Sequence, residues 1–288
     1  LKSVDAINLK QRVAKMIDVE SISACEKVER DAWLDLFAAA PAVLSEQLKL
    51  KHTIIHGLGL LACPAIPITE LNRAMALGAE QPVSDEELAE ALQWLNTHAD
   101  AWAFQINPAL NTSATIDWLR KQELAPAGNG WAKFYLHHTA ISDTSHPPSA
   151  YEIRPVRTHD ADNFGLVVQS GFGLPEQVRP WFSALVGREK WKTYLAWDNN
   201  RPVAAGAIYI DHHTAWLGID TTLAELRQKG TQRALIMRRL RDGKQSGVTA
   251  FTAETGHPAT ENEPGYSSFR NYLNSGFNKI CVRQNYKK

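Results

Sequence analysis

Arg227-Gln228-Lys229-Gly230-Thr231-Gln232-Arg233 (RQKGTQR) lies between an apolar strand pattern, Thr214–Asp220, and a long helical pattern from Thr231 to Gln245. That helix carries Ala234, Leu235, Met237 and Leu240 as its apolar side. The first amides of a helix have no partners within it, and the positive end of the helix dipole lies behind them. Gly230 lets the backbone approach a ligand without a Cβ in the way. Arg227, Lys229 and Arg233 add positive charge with no acid inside the loop. Such a turn suits an anionic diphosphate. The same residues also read as a solvated helix start with surface cations. The loop holds neither a dinucleotide fingerprint nor a Walker sequence.

Outward from the loop, the C-terminal half orders itself. Tyr151 to Arg157 alternates as a strand; helices follow at Asp160–Ser170 and about Glu176–Gly187, joined by the glycine-rich QSGFGLP at Gln169–Pro175. Strands at Thr193–Trp197, Val203–Ile210 and Thr214–Asp220 are separated by short polar turns, which predicts an antiparallel meander. After the long helix come a strand at Val248–Glu254, a helix at Ser267–Asn274 and a last strand at Lys279–Asn285. The N-terminal half opens with a helix at Ala24–Ala40, then strands at His52–Cys63 and Arg73–Gly78. A helix at Ser84–Asn96 follows, with Ser84 and Glu87 at capping-box spacing. The half closes with strand Ala101–Ile106, helix Ser113–Gln122 and strand Gly130–Leu136. Its last five elements repeat the order found in the other half. Between the halves, Thr139 to Ala150 (TAISDTSHPPSA) reads as a linker.

Composition narrows the classes. Of 288 residues, 44% are hydrophobic and 22% charged, a globular balance. Lys and Arg number 31 and Asp and Glu 31, so no net basic charge points to a nucleic-acid coat. Cys25, Cys63 and Cys281 are too sparse for a disulfide framework and read as thiols of a reducing cytoplasm. Ile54 to Ile68 is interrupted by His56, Pro64 and Pro67 and is too short for a membrane span of about 20 apolar residues. The sequence begins at Leu1 without a visible signal peptide. His137-His138 and His212-His213 are adjacent pairs, which on a strand point to opposite faces and do not close on one metal ion.

The loop in this context resembles the GNAT (GCN5-related N-acetyltransferase) superfamily, whose members use acetyl-CoA. The matched motifs are [QR]-x-x-G-x-[GA], here Arg227-x-x-Gly230-x-Gln232, and Tyr-x-x-x-Gly-Phe, here Tyr272 to Phe277. The stretch SFRNYLNSGF at Ser268–Phe277 is especially similar, and the resemblance spans about Tyr151 to Tyr286. Three departures stand out. Gln232 replaces a small residue, Thr221-Thr222-Leu223-Ala224 replaces an apolar pair and a proline, and Gly265 stands where an Asn is usual, with Asn262 nearby.

The resemblance implies an α/β (α+β) fold with a mixed, mostly antiparallel sheet flanked by helices, as two domains in tandem. Residues 1–140 would be a degenerate GNAT-like or helical accessory domain, 141–150 the linker, and 151–288 the acetyltransferase domain. It implies acetyl-CoA as cosubstrate and no metal. The diphosphate would lie on Arg227, Gln228, Lys229, Gly230, Thr231, Gln232 and Arg233, and the pantetheine arm along Asp220, Thr221 and Thr222. Tyr272 matches the family's general acid, and a phenol of pKa about 10 stays protonated at neutral pH. Glu254, at the strand end facing the reaction gap, is the expected base, with Asp220 as runner-up. The same residues also read as a packed aromatic for Tyr272 and a solvated strand end or Arg270 partner for Glu254.

The nine tryptophans read first as core anchors, with Phe172 or Trp181 beside QSGFGLP as candidate acceptor contacts. In the first half, matching Glu123 to Gly276 sets Leu119 opposite Tyr272. The loop Ala79–Glu86 there has no internal glycine, no cation and three acids, so no CoA is expected on it. The expected partner is a small-molecule or protein amine, with no nucleic acid and no membrane; a homodimer is left open. The alternatives are a catalytically lapsed CoA-binding or regulatory module and an interaction protein without a CoA site. Gly230→Glu places bulk and negative charge at the diphosphate. Isothermal titration should then show no CoA binding, and unchanged affinity would remove the cradle.

Overall fold

The structure, a computed structural model, describes residues 17–141, 149–263 and 266–288. Most of the expected linker, and Gly265, therefore lie outside the described residues. The first half contains α1 (Val19–Ala38), α2 (Ala42–Gln47), β1 (Lys51–Ile55), β2 (Leu58–Ala62), β3 (Arg73–Met75), α3 (Asp85–His98), β4 (Ala103–Ile106), α4 (Ser113–Lys121) and β5 (Ala125–His137). The second contains β6 (Glu152–Pro155), α5 (Ala161–Phe172), α6 (Arg179–Ser183), β7 (Trp191–Asp198), β8 (Arg201–Asp211) and β9 (Thr214–Thr222). It ends with α7 (Thr231–Gln245), β10 (Ala250–Gly256), α8 (Tyr266–Asn274) and β11 (Asn278–Lys287).

One expected strand is two. His52–Cys63 folds as the hairpin of β1 and β2, turning at His56-Gly57 with φ of 49° and 82°. Two left-handed residues in succession match the twist of the flanking strands. The usual first residue of that turn is Asn or Asp, so His56 hid it. The β7-β8-β9 meander is antiparallel as expected.

The strands form a single sheet in the order β1-β2-β3-β4-β11-β5-β10-β9-β8-β7-β6. Among the described residues only β3 with β4 and β9 with β10 run parallel. The repeated order of elements is visible in space: β1 to β5 correspond to β7 to β11. The last strand of each half, however, crosses over. β11 pairs with β4, and β5 pairs with β10. The two then pair with each other at the centre. The seam in the sequence is therefore not a seam in the sheet.

Three apolar clusters fill the layers. Leu88, Ala91 and Leu95 of α3, with Trp118 and Leu119 of α4, cover Leu58, Leu60 and Phe104. Leu235, Ile236 and Leu240 of α7 and Tyr272 of α8 cover Phe134, Ile208, Leu217 and Phe251. On the opposite face, α1 joins α5 and α6 over Trp191, Leu195 and Trp216. Glu123 and Gly276 follow α4 and α8 with φ of 62° and 95°, the left-handed position that ends a helix.

Between α1 and the sheet lies a layer of buried charge. Glu26 and Glu29 come from α1, Arg73 from β3, Lys133 from β5, Glu254 from β10 and Arg283 from β11. None of these side chains is more than 5% exposed. Arg283 donates to Glu26 Oε2 at 3.0 Å and Glu29 Oε1 at 2.8 Å, and also to Glu254. Lys133 donates to Glu29 and to the Cys25 carbonyl at 3.2 Å. Arg73 donates to Glu254 Oε1 at 2.9 Å. Three acids thus meet three cations. Removing one partner from such a group leaves an uncompensated buried charge. Arg283→Met is expected to cost about 3–5 kcal/mol in urea unfolding at neutral pH. A loss below about 1 kcal/mol would show that the layer does not hold the strands together.

Candidate active site

The turn before α7 is built as the sequence suggests. Gly230 is the N-cap with φ 74°, a left-handed backbone that a Cβ would strain, and no side chain caps the helix. Gln228 is also left-handed, at φ 65°. The Thr231 Oγ1 and Arg233 Nε are buried without partners. Unpaired polar atoms around an uncapped helix start fit an anionic ligand. Arg227 reaches the carbonyls of Thr222 and Gly171 at 3.2 and 3.4 Å, and Lys229 donates to the Tyr151 hydroxyl at 2.8 Å. Gln232 turns away from the loop. Its amide donates to Ser268 Oγ at 2.8 Å and accepts from Asn271 at 2.9 Å, tying the turn to α8.

The equivalent turn in the first half is closed by its own side chains. Glu87 N–H donates to Ser84 Oγ at 3.2 Å, and Ser84 N–H donates to Glu87 Oε2 at 2.8 Å. Asp85 and Glu86 follow in the first turn of α3. The amides that would meet a phosphate there are partly spoken for, and the surroundings are negative.

A cleft of about 1020 Å³ runs from the α7 turn across the sheet. It passes Arg227, Gln228, Gly230, Thr231 and Gln232, then Asp220, Thr221 and Thr222, and is also lined by Glu254, Trp33, Trp131 and Trp216. The strands make room for it. β9 and β10 pair only as far as Leu217 with Ala253, leaving the β10 side of residues 218–222 open. A bulge at Ile219 (φ 59°), where the β8–β9 register shifts, reverses the alternation of β9. Trp216 and Ile219 therefore share the cluster under α1 and α5. Asp220 points to the other face. Gly171 of α5 packs on this edge, where an added Cβ would run into the Thr221 side chain.

The expected chemical groups separate. Tyr272 is 1% exposed, stacks on Phe134 with ring centroids 5.3 Å apart, and donates its hydroxyl proton to Asp220 Oδ2 at 2.6 Å. Burial, then the Asp220 charge, pushes this phenol well above its usual range. It is not among the residues lining the cleft. Asp220 lines the cleft, but Arg239 holds both of its oxygens from behind.

Glu254 also lines the cleft, where Arg73 and Arg283, rather than Arg270, are its partners. Burial raises its carboxyl above the usual range; Arg73 and Arg283 oppose that, and neighbouring Glu29 adds to it. Glu29 moves the other way. Its own burial is outweighed by Arg283, Lys133 and Arg73, which hold it ionised.

Two contributions escaped sequence reading. Trp33, Glu70 and Trp131 of the first half line the cleft, and Arg73 and Arg283 hold Glu254. No motif marks them: Trp131 and Arg283 stand on the crossing strands β5 and β11, and Trp33, Glu70 and Arg73 come from α1, the approach to β3 and β3 itself. Of the two suggested acceptor contacts, Phe172 lines the cleft. Trp181 is buried in the core, donating to the Leu36 carbonyl at 2.7 Å. The thiols of Cys25, Cys63 and Cys281 are pushed up by burial to about 11, which leaves no ready thiolate. Among the described residues no group of three acidic, His or Cys side chains is placed to hold a metal ion, and no helix is long and apolar enough to cross a membrane. Tyr272→Phe removes the hydroxyl from Asp220 and should lower stability by about 0.5–1.5 kcal/mol while leaving CoA affinity unchanged. A loss of CoA affinity in titration calorimetry would instead place the phenol at the ligand.

No family model matches the sequence, and no curated protein matches it. Solved structures do resemble it. A GCN5-related N-acetyltransferase from Kribbella flavida is 13% identical with a TM-score of 0.58, over 85% of this chain and 94% of that one. A tandem GNAT protein from the clavulanic acid biosynthesis pathway is 16% identical with a TM-score of 0.56, over 91% and 94%. A GCN5-related N-acetyltransferase from Sphaerobacter thermophilus is 15% identical with a TM-score of 0.54, over 70% and 66%. Along most of its length, the chain has the fold of the GCN5-related N-acetyltransferases.

Proposed function

We propose that the protein is an acyl-CoA-dependent N-acyltransferase that moves an acetyl group from acetyl-CoA to a primary amine by direct attack in a ternary complex. The observation that carries this reading is the single cleft joining the uncapped α7 turn to Glu254 along the open edge of β9. Residues 227–233 would hold the diphosphate, through amides, Arg227 and the unpaired Thr231 hydroxyl. The backbone of Asp220, Thr221 and Thr222 would pair with the pantetheine amides as a strand edge pairs with a peptide. When bound, acetyl-CoA supplies a thioester carbonyl as the electrophile.

Glu254 then does the proton work. An amine must be neutral to attack, and a carboxylate with a raised pKa is a better acceptor than a free one. The nitrogen forms a bond to the carbonyl carbon, and the carbon–sulfur bond breaks. The amine proton passes to Glu254, and the thiolate leaves to take a proton from solvent. Asp220, fixed by Arg239 and Tyr272, shapes the wall beside the thioester, so Tyr272 acts through Asp220 as a positioning residue. The first half supplies acceptor contacts and binds no CoA of its own.

A lapsed CoA-binding module is the second reading, favoured by the commitment of the Tyr272 proton to Asp220. Thiol release in the presence of acetyl-CoA and a panel of amines separates the two. The expected rate rises with pH through a limb above the ordinary carboxylate range, because Glu254 serves only when ionised. Glu254→Gln should lower kcat/KM by about 10²–10⁴-fold and flatten that limb, with CoA affinity retained. An unchanged pH profile would take the base role from Glu254.

A further inference from the structure

We infer that the acceptor is a monoamine on a flat, apolar body that carries no carboxylate. The inference rests on the acyltransfer reading and names the class of its second substrate. The part of the cleft away from the cradle is walled by Trp33 of α1, Trp131 of β5, Trp216 of β9 and Phe182 of α6. Phe172 and Ile68 also line the cleft, 50% and 40% exposed. Flat rings on several sides favour a flat guest.

The charges are one-sided. Glu70 and Glu254 are acids of this end, and Glu70 makes no ion pair among the described residues. The arginines of the lining, Arg227 and Arg270, stand on the cradle loop and on α8. Arg73 and Arg283 already balance Glu254, so an ammonium on the guest gains its counter-charge from Glu70, and a carboxylate on the same guest would meet that unpaired acid. A polyamine or aminosugar would need many polar partners, and aromatic walls supply few.

The indole nitrogens add one detail. Trp33 and Trp216 have ring centroids 5.8 Å apart, and the Nε1 of each is buried without a partner. Both residues line the cleft. An acceptor oxygen on a guest that reached either nitrogen would match a donor with no partner among the described residues. Arg73 covers one face of Trp33 at 4.9 Å, which holds that ring in place.

The test titrates the full chain by tryptophan fluorescence with phenethylamine, 4-methoxyphenethylamine, spermidine and phenylalanine, first without acetyl-CoA. Both arylamines should saturate the signal, the methoxy compound about fivefold more tightly. Spermidine and phenylalanine should bind at least about tenfold more weakly than either. With acetyl-CoA present, Phe172→Ala and Glu70→Gln should each raise the arylamine KM about threefold to fivefold and leave the acetyl-CoA KM alone. Tighter binding of spermidine or phenylalanine, or unmoved amine KM values in both variants, would overturn the assignment. Arylamine binding without thiol release would keep the pocket and remove the acyltransfer reading. Thiol release with spermidine alone would do the reverse.

Discussion

Arg283 is the residue on which the architecture turns. It lies near the end of the chain, is wholly buried, and reaches Glu26 and Glu29 of α1 and Glu254 of β10. A guanidinium offers five donors in a rigid fork, so a single side chain can neutralise several acids at once. Apolar packing alone would let β11 slide by two residues and still bury one face. A buried fork that must meet three carboxylates permits one register. Glu29 and Glu254 serve the same purpose from the other side, with Arg73 and Lys133 completing the balance.

The network also explains why one acid in the cleft differs from the other. Asp220 is bound by Arg239 and Tyr272 behind the wall. Glu254 shares its cations with Glu29, so the Arg73 guanidinium is divided between two carboxylates and that of Arg283 among three. The divided attraction does not fully offset burial, and Glu254 keeps a raised pKa while Glu29 stays ionised. In the proposed reaction, the structural ion layer would thereby prepare a proton acceptor where it borders the cleft. That link between packing and chemistry needs residues from both halves.

Much of this was legible in the sequence. The α7 turn, the meander and the late helix follow from periodicity, glycine placement and charge, which act over neighbouring residues. Helix α7 begins and ends where its pattern does, at Thr231 and Gln245. The capping box at Ser84 and Glu87 explains the closed turn of the first half. What stayed hidden depends on distant partners. The bulge at Ile219 places a β-branched residue in a left-handed backbone, which no local preference announces. Tyr272 looked exposed to chemistry because its motif carries no information about burial. Trp33, Glu70 and Trp131 enter the cleft through long-range pairing alone.

The crossing of the two last strands has a consequence for how the protein is made. The first half emerges from the ribosome with β4 lacking its neighbour, since β11 occupies the final ten positions before Lys288. An open strand edge is a template for mispairing until that neighbour arrives. Completion of the sheet must wait until β11 has been made, and loop closure over such separations slows folding. A stop codon ahead of β11 would harm the half translated first, and the gene could not be split at the linker into two independently folding products.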